Sequence, residues 1–399
     1  MTDQAETPRL VARAASIQIV ATVVFTFVGY LVVGMPLGVL PPFVHSTLHY
    51  SSVLAGLSVS FQYLATFVTR APVGRMTDTV GPKQMVIFGL SSCAMSGVFT
   101  TAGGLASGHP GISIALLLIG RLFLGAGESG VGTGAIAWAI GRVGPLHSAR
   151  IISWNGVATF AGIAIGAPLG VTIESLWGFW FIGCAMVAAA LLVLPFAAFG
   201  PVTRPVRGTQ IPMRRVFGRV LPHGMALALG SLGFGTIVSF ITLFFGSRHW
   251  GHAAIALSAF GGFFILSRLI FVASITRQGG LRVAFVSFVG EACGLLLLGL
   301  APTPLLAIVG AAITGFGFAL VFPALGVEAF QRVPSSSRGA ALGVFSVFLD
   351  VALGATGPLA GLLVGVSGYT SIFLIAAVAA LAGGGITVAL GARPARPSV

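Results

Sequence analysis

Acidic residues inside long apolar stretches are the first candidates for chemistry, because a charged group is costly there. The chain has only 8 Asp and Glu residues in 399, and apolar and small residues flank Glu128 and Asp350 on both sides. An ionised carboxylate is disfavoured in such surroundings, whereas the protonated form is tolerated. A carboxyl that alternates between the two forms can carry a proton, so we predict Glu128 and Asp350 as proton-coupling residues. The alternative is that each carboxyl only ties neighbouring helices together.

Other polar residues could line a pathway with these carboxyls. Arg121 precedes Glu128 by seven residues, so on a helix the two share one face, ~10 Å apart along the axis. Ionisable residues in membrane segments usually face a cavity or a partner. Arg121 is therefore predicted to contact a substrate anion or to be the partner of Glu128. Four further polar residues could line the cavity, although each could instead make a hydrogen bond between helices. They are Tyr30, Gln62, Asn155 and Thr236.

The composition excludes most other classes of protein. Charged residues make up 7% of the chain and hydrophobic residues 56%, with a mean hydropathy of +1.03. Soluble proteins carry about 25% charged residues, so this chain is not a soluble enzyme or a disordered protein. The net charge of +13 does not indicate a nucleic-acid partner, because the basic residues fall in short breaks between apolar runs.

The elements that must position these residues are membrane-spanning helices. A bilayer core of ~30 Å requires about 20 helical residues, and the sequence contains twelve such apolar runs, separated by Pro, Gly, His and Arg. The first run is too long for a signal peptide. We predict spans near residues 16–40, 52–70, 84–105, 112–141, 149–173, 176–199, 223–246, 253–275, 283–300, 303–329, 339–365 and 370–391.

The basic residues predict the orientation of these spans. With a cytoplasmic N-terminus, 18 of the 21 Lys and Arg residues fall in cytoplasmic loops and tails. Only Arg248 falls on the opposite side, and Arg121 and Arg268 fall inside helices. Cytoplasmic loops of membrane proteins carry such an excess of positive charge. Both termini are therefore predicted to be cytoplasmic.

The chain divides into two similar halves. A polar stretch with three prolines and five arginines follows the sixth span, and Arg70-x3-Gly74 after the second span recurs as Arg268-x3-Val272 after the eighth. Paired halves with a substrate site between them are common in transporters. We predict a cytoplasmic tail at 1–15, a six-helix half at 16–199, a basic cytoplasmic linker at 200–222, a second six-helix half at 223–391 and a cytoplasmic tail at 392–399.

The loop after the second span carries a family signature. Its residues Gly74, Arg75, Asp78, Gly81 and Lys83 resemble the loop 2–3 signature of the major facilitator superfamily, Gly-x-x-x-Asp-x-x-Gly-x-Lys/Arg. The sequence departs from that family at Pro82, where Arg is usual. The resemblance implies that these residues form a cytoplasmic latch that biases the conformational switch without contacting substrate.

Two further stretches are similar to the same family. The Arg121-x-x-x-Gly125 pattern resembles its helix-four motif, and the fifth span resembles its exporter signature with one inserted residue, Ala167. Small residues at four-residue spacing also let helices pack closely, so packing alone is an alternative reading. The residues of this exporter-like motif are Gly162, Gly166, Pro168 and Gly170.

The resemblance covers nearly the whole chain, and residues 318–361 are similar to the bacterial YhhS/YfcJ-like exporter-type permeases. It implies an all-α integral membrane protein with twelve transmembrane helices in two pseudo-symmetric six-helix halves. It also implies a monomeric transporter in the bacterial plasma (inner) membrane, whose partners are a small-molecule substrate, protons and the lipid bilayer. No catalytic residue, cofactor or metal site is predicted, and Glu291 receives no role.

The predicted function is secondary active transport. Without a phosphate-binding Walker motif, the energy source is expected to be a gradient, and proton-coupled efflux of a small organic solute is the first hypothesis. An importer or facilitative carrier of a sugar or organic acid without proton coupling is the alternative, because one fold serves both directions. An integral membrane enzyme, a receptor and a channel are less consistent with eight scattered acids and near-symmetric halves.

Overall fold

The computed structural model describes residues 6–144, 147–203, 213–333 and 338–392, and the regular elements in these ranges are helical. In chain order they are α1 (Glu6–Gly34), α2 (Leu40–Pro42) followed by a π-helical turn (Phe43–Thr47), α3 (Ser52–Thr79), α4 (Pro82–Leu105), α5 (Pro110–Val143), α6 (Ser148–Trp177), α7 (Phe179–Phe199), α8 (Met213–Ser247), α9 (Ala253–Phe271), α10 (Ser274–Gln278), α11 (Gly280–Gly299), α12 (Pro304–Phe318), α13 (Val321–Gln331) and α14 (Arg338–Gly391).

Proline and glycine mark where these helices start and stop. Helices α4, α5 and α12 each have proline in their first turn, where the missing N–H leaves no intrahelical bond unmade. Gly81, Gly144, Gly178 and Gly279 adopt positive φ at helix boundaries, a conformation that glycine reaches without steric cost. The breaks predicted from composition therefore have a local backbone cause.

Eleven helical segments in the described ranges are long and apolar enough to cross a membrane, when α12 and α13 are counted together as Pro304–Gln331. The last of them, α14, has 54 residues and two helices that meet at Gly368, whose φ of 76° and ψ of 175° are not helical. One straight helix of that length would extend ~80 Å, far beyond a ~30 Å bilayer core. The residues predicted as the eleventh and twelfth spans lie on the two sides of this break.

Several predicted boundaries differ from the structure. Helix α3 continues to Thr79, nine residues past the predicted end of the second span. Helix α8 begins at Met213, inside the stretch predicted as linker, and α1 begins at Glu6, inside the predicted N-terminal tail. Arginine is a good helix former, so a basic stretch can continue a helix that hydropathy alone would end. Residues 204–212 of the predicted linker and 393–399 of the predicted C-terminal tail lie outside the described residues.

Helices pack most closely where glycine removes a side chain. A Cβ on Gly34 would lie 2.9 Å from the Cα of Ile163, and one on Gly89 would lie 2.8 Å from the carbonyl oxygen of Gly127. These contacts join α1 to α6 and α4 to α5. Close backbone approach at small residues is a common way for membrane helices to associate.

Two crossings join helices before residue 200 to helices after it. At one, α3 meets α14, and the Ser52 hydroxyl donates to the Gly361 carbonyl at 3.1 Å. At the other, α6 meets α9, and the Ser258 hydroxyl donates to the Ala164 carbonyl at 3.0 Å. The parts of the chain before and after the basic stretch therefore touch at these two helix pairs, and α3 also contacts α8.

Two turns, 200 residues apart, each contain a histidine in the left-handed backbone region. His49 and His249 have φ of 58° and 56°, in the left-handed region. The aromatic residue that follows each histidine donates its N–H to the preceding helical segment: Tyr50 to the Val44 carbonyl at 3.1 Å, and Trp250 to the Phe245 carbonyl at 2.9 Å. Both histidines therefore follow a helical segment with the same left-handed backbone conformation.

Candidate functional site

Glu128 is the centre of a buried polar cluster formed by α1, α3 and α5. The Tyr30 hydroxyl donates to Glu128 Oε1 at 3.1 Å, and Gln62 Nε2 donates to Oε2 at 3.3 Å. The Thr66 hydroxyl lies 3.4 Å from the same Oε2. Glu128 is only 9% exposed. Two predicted cavity candidates, Tyr30 and Gln62, therefore contact the predicted proton-coupling residue directly.

Arg121 joins this cluster through Gln62 rather than through Glu128. Its Nη1 donates to Gln62 Oε1 at 3.0 Å. Within the described ranges, no ion pair links Arg121 to a carboxylate, and Arg121 Nη2 is buried without a hydrogen-bond partner. Of the two predicted roles, a direct partnership with Glu128 is not present in this conformation. The arginine instead keeps one unused donor.

Asp350 forms an ion pair that the sequence analysis did not predict. It pairs with Arg70 of α3 through two hydrogen bonds: Arg70 Nε donates to Oδ2, and Nη2 donates to Oδ1 at 2.8 Å. The Asp350 side chain is 1% exposed and that of Arg70 23%. The pair connects α3 to α14, so it crosses between the two parts of the chain.

Arg70 was missed because the predicted second span ended at that residue, which placed it among the loop arginines. The placement of Arg70 in a loop is therefore wrong, since α3 continues to Thr79 and Arg70 lies within it, paired with Asp350. One signal was available in the sequence. The repeat aligned Arg70 with Arg268, which was predicted to lie inside a helix. Placing Arg70 inside a helix as well would have identified it as a candidate partner for a buried carboxylate.

Asn155 and Thr236 make bonds away from the Glu128 cluster. The Thr26 hydroxyl donates to Asn155 Oδ1 at 2.7 Å, which links α1 to α6. The buried Thr236 hydroxyl donates to the Leu232 carbonyl of its own helix at 2.8 Å. Asn155 therefore makes a hydrogen bond between helices, whereas the Thr236 hydroxyl bonds to the backbone of its own helix.

The predicted latch residues surround the turn from α3 to α4. Gly81 has φ of 118° there, and Lys83 Nζ donates to the Gly200 carbonyl at 2.8 Å, which ties the turn to the end of α7. No atom lies within 4 Å of a Cβ placed on Gly74. Arg75 and Asp78 are exposed and form no ion pair with any described residue.

The exporter-like stretch of α6 lies against α1. A Cβ on Gly162 would lie 2.6 Å from the Phe27 carbonyl oxygen, and one on Gly166 would lie 2.6 Å from that of Leu31. A Cβ on Gly170 would collide with the Met35 carbonyl oxygen. Pro168 lies within α6, which continues through it. The glycines therefore set the separation of the two helices.

Two other acids have contrasting surroundings. Glu291 is fully buried in α11, and neither carboxyl oxygen has a hydrogen-bond partner among the described residues. Glu328 Oε1 accepts from the Gly280 N–H at 3.0 Å, at the start of α11. A carboxylate is favourable at a helix N-terminus, so Glu328 caps α11. The described ranges contain no group of three His, Cys, Asp or Glu side chains that could hold a metal ion.

Comparison with known proteins agrees with this architecture. The family model of the Major Facilitator Superfamily matches residues 22–280 and 252–399. The chain is 52% identical over 396 residues to proteins of Burkholderia mallei (strain SAVP1) and Burkholderia pseudomallei (strain K96243), covering 99% of this chain and 97% of each relative. It is also 52% identical over 384 residues to a Pseudomonas aeruginosa (strain LESB58) protein, covering 96% and 95%. All three are named "Uncharacterized MFS-type transporter".

Buried charges on helices that span a membrane, and relatives that match nearly end to end, point to transport rather than to enzyme catalysis. The chain is therefore a multi-pass membrane transporter and belongs to the major facilitator superfamily.

Proposed function

We propose that this transporter couples the efflux of a small organic solute to proton movement by alternating access. The observation that carries the proposal is the Arg70–Asp350 ion pair between α3 and α14. Arg70 follows Thr66 by one helical turn, and Thr66 contacts Glu128. The ion pair and the Glu128 cluster are therefore neighbours along one face of α3, where a proton on either carboxyl alters the charge felt by the other.

The proposed architecture is twelve transmembrane helices in two six-helix halves, 16–199 and 223–391, with cytoplasmic termini. The break at Gly368 supports the count, because it divides α14 into two segments of spanning length. The repeated turns at His49 and His249 support the relation between the halves. The α3–α14 and α6–α9 crossings are then two of the contacts between the halves.

Protonation of Asp350 is the proposed trigger. A proton that binds the carboxylate removes its negative charge, and the ion pair with Arg70 loses its electrostatic attraction. The α3–α14 contact can then separate on the side of this pair, while the small-residue contact at Ser52 and Gly361 holds the helices further along. Release of the proton on the other side restores the pair. Glu128, with Tyr30, is the second proton site in this scheme.

Efflux is the proposed direction, supported by the glycine-mediated contact of α6 with α1 in the exporter-like stretch. The bacterial relatives support a plasma (inner) membrane location, and the proposed working unit is a monomer. Tyr30, Gln62 and Arg121 are the proposed cavity residues, since they form one connected group. Gly74, Arg75, Asp78, Gly81 and Lys83 form the proposed latch.

Proton flux in proteoliposomes tests the proposal. Purified protein is reconstituted with an internal pH-sensitive dye, and sugars, organic acids, amphiphilic cations and antibiotics are screened against an imposed pH gradient. A substrate should dissipate the gradient with wild-type protein but not with Asp350→Asn or Glu128→Gln. Glu174→Gln, which neutralises a half-buried acid near the end of α6, is the matched control and should behave as wild type.

Counterflow from each side of the membrane then tests direction. A compound that moves without proton flux, and equally well with both variants, would overturn proton coupling. The protein would then be a facilitative carrier of a sugar or organic acid, and the two carboxyls would have a structural role.

A further inference from the structure

Two arginines in the interior of this transporter have no carboxylate partner among the described residues. Among the described residues, the one salt bridge is Arg70–Asp350. Arg121 and Arg268 are 4% and 9% exposed, and no acidic side chain in the described ranges lies within ion-pair distance of either. Guanidinium groups keep their charge in proteins, and a buried charge without a counter-ion is costly. An anion beside either guanidinium would offset the cost of burying its charge, and the described residues do not supply one.

Arg268 is oriented by neutral groups. Its Nε donates to the Ala319 carbonyl at 3.1 Å, and its Cζ lies 4.8 Å from the centre of the Phe264 ring. No hydrogen bond to another described residue is made by its two Nη groups. A backbone carbonyl and an aromatic face hold a guanidinium in place without neutralising it.

The residue that faces Arg268 across the α6–α9 crossing is a glycine. A Cβ placed on Gly156 would collide with Nη1 of Arg268 and would lie 3.1 Å from its Cζ. The guanidinium therefore occupies the space that any other side chain at position 156 would fill. The contrast with the other crossing is direct, because Arg70, the repeat counterpart of Arg268, meets Asp350 on α14. One crossing has a built-in carboxylate, whereas at the other the described residues supply no hydrogen-bond acceptor to either Nη group of Arg268.

We propose that Arg268 binds the anionic group of the transported solute, so that the substrate class is organic anions. This inference rests on the proposed transport function and gives it a substrate class. The solute's carboxylate, phosphonate or sulfonate takes the position at the α6–α9 crossing that Asp350 occupies at the α3–α14 crossing. A planar guanidinium with two free Nη groups suits such bidentate recognition. Half-buried Phe160, whose ring stacks on Phe264 with centroids 3.5 Å apart, offers an apolar surface beside it.

Equilibrium binding to protein in nanodiscs tests this assignment. The probes share a phenyl body and differ in charge: benzoate, phenylphosphonate and benzenesulfonate, with benzamide as the neutral and benzylammonium as the cationic analogue. Calorimetric titration should detect at least one of the three anions and neither of the other two compounds. A charge-assisted hydrogen bond accounts for roughly tenfold or more in affinity, so Arg268→Gln should weaken anion binding by about that factor.

Matched variants separate recognition from folding. Gly156→Ala leaves the arginine in the sequence but displaces its guanidinium, and should weaken binding as Arg268→Gln does. Arg268→Lys keeps the positive charge and should retain part of the anion affinity. It serves as the second test if Arg268→Gln does not fold. Arg248→Gln removes an exposed positive charge, and Gly262→Ala adds a methyl where nothing lies within 4 Å. Both controls should bind as wild type.

The result that overturns the proposal is wild-type protein that binds none of the anions, or binds benzamide or benzylammonium equally well. Unchanged anion affinity in folded Arg268→Gln protein also overturns it. Because binding is measured without a proton gradient, its failure is distinct from a failure of proton coupling. Anion binding that survives in a protein without coupled proton flux would refute the proposed coupling alone.

Discussion

Removal of one partner of the Arg70–Asp350 pair should cost far more stability than removal of both. Asp350→Asn leaves the Arg70 guanidinium, whose side chain is 23% exposed, with two donors that have lost their charged acceptor. Breaking a buried ion pair from one side costs about 3–5 kcal/mol, whereas replacing both partners can be nearly neutral. We expect each single variant to lie near the lower end of that range, because Arg70 keeps some access to water.

A double-mutant cycle measures this coupling. The free energy of unfolding is determined in mixed detergent–SDS micelles for wild type, Arg70→Gln, Asp350→Asn and the double variant. A direct hydrogen-bonded charge pair should give a coupling energy of at least ~1.5 kcal/mol. Arg75→Gln, five residues along α3 and exposed, is the control and should change stability by no more than ~0.5 kcal/mol.

Additive effects would refute the reasoning. If the double variant equals the sum of the single variants within ~0.5 kcal/mol, then the two side chains do not interact in the protein. The contact between α3 and α14 would then depend on its small residues, and Asp350 could not act on the halves through Arg70.

Three further outcomes follow from the contacts. Gly166→Ala should destabilise the protein by about 1–3 kcal/mol through overpacking of α6 on α1. Gly74→Ala should leave the free energy of unfolding unchanged or raise it by up to ~1 kcal/mol, yet slow transport if the latch works. Equal changes in the free energy of unfolding of the two variants would contradict this. Tyr30→Phe should reduce proton flux while costing no more than ~1.5 kcal/mol of stability, and normal flux would remove its hydrogen bond to Glu128 from the mechanism. Glu328→Ala should cost ~1 kcal/mol as a lost helix cap, measured by the same unfolding titration; no loss would contradict the capping role.

Glu128 could be selected from the sequence because the evidence for it is local. A carboxylate in the middle of an apolar helix is costly wherever the helix packs, so its unusual status is visible without any neighbour. The same reasoning selected Asp350 and Arg121. Tyr30 and Gln62 were selected only as polar residues in apolar helices, and only helix packing brought them to Glu128.

Arg70 shows where hydropathy fails. A window of apolar residues ends at the first arginine, yet α3 continues to Thr79 because arginine does not disfavour helix. The same error placed the start of α8 too late, since Met213 and the arginines that follow it are helical. The end of a membrane-buried segment and the end of a helix have different physical causes. Composition indicates only the end of the membrane-buried segment.

By itself, the sequence determined that the chain spans a membrane many times, that its polar breaks lie at Pro and Gly, and which buried charges demand an explanation. These three features follow from the free-energy cost of placing each residue type in an apolar helix, which does not depend on its neighbours in the fold. Only the tertiary structure decided which charges meet, because partners 280 residues apart, such as Arg70 and Asp350, are joined by helix crossings that no local pattern encodes. It also decided that Arg268 faces Gly156 rather than a carboxylate, and this absence of a counter-charge gives the substrate proposal.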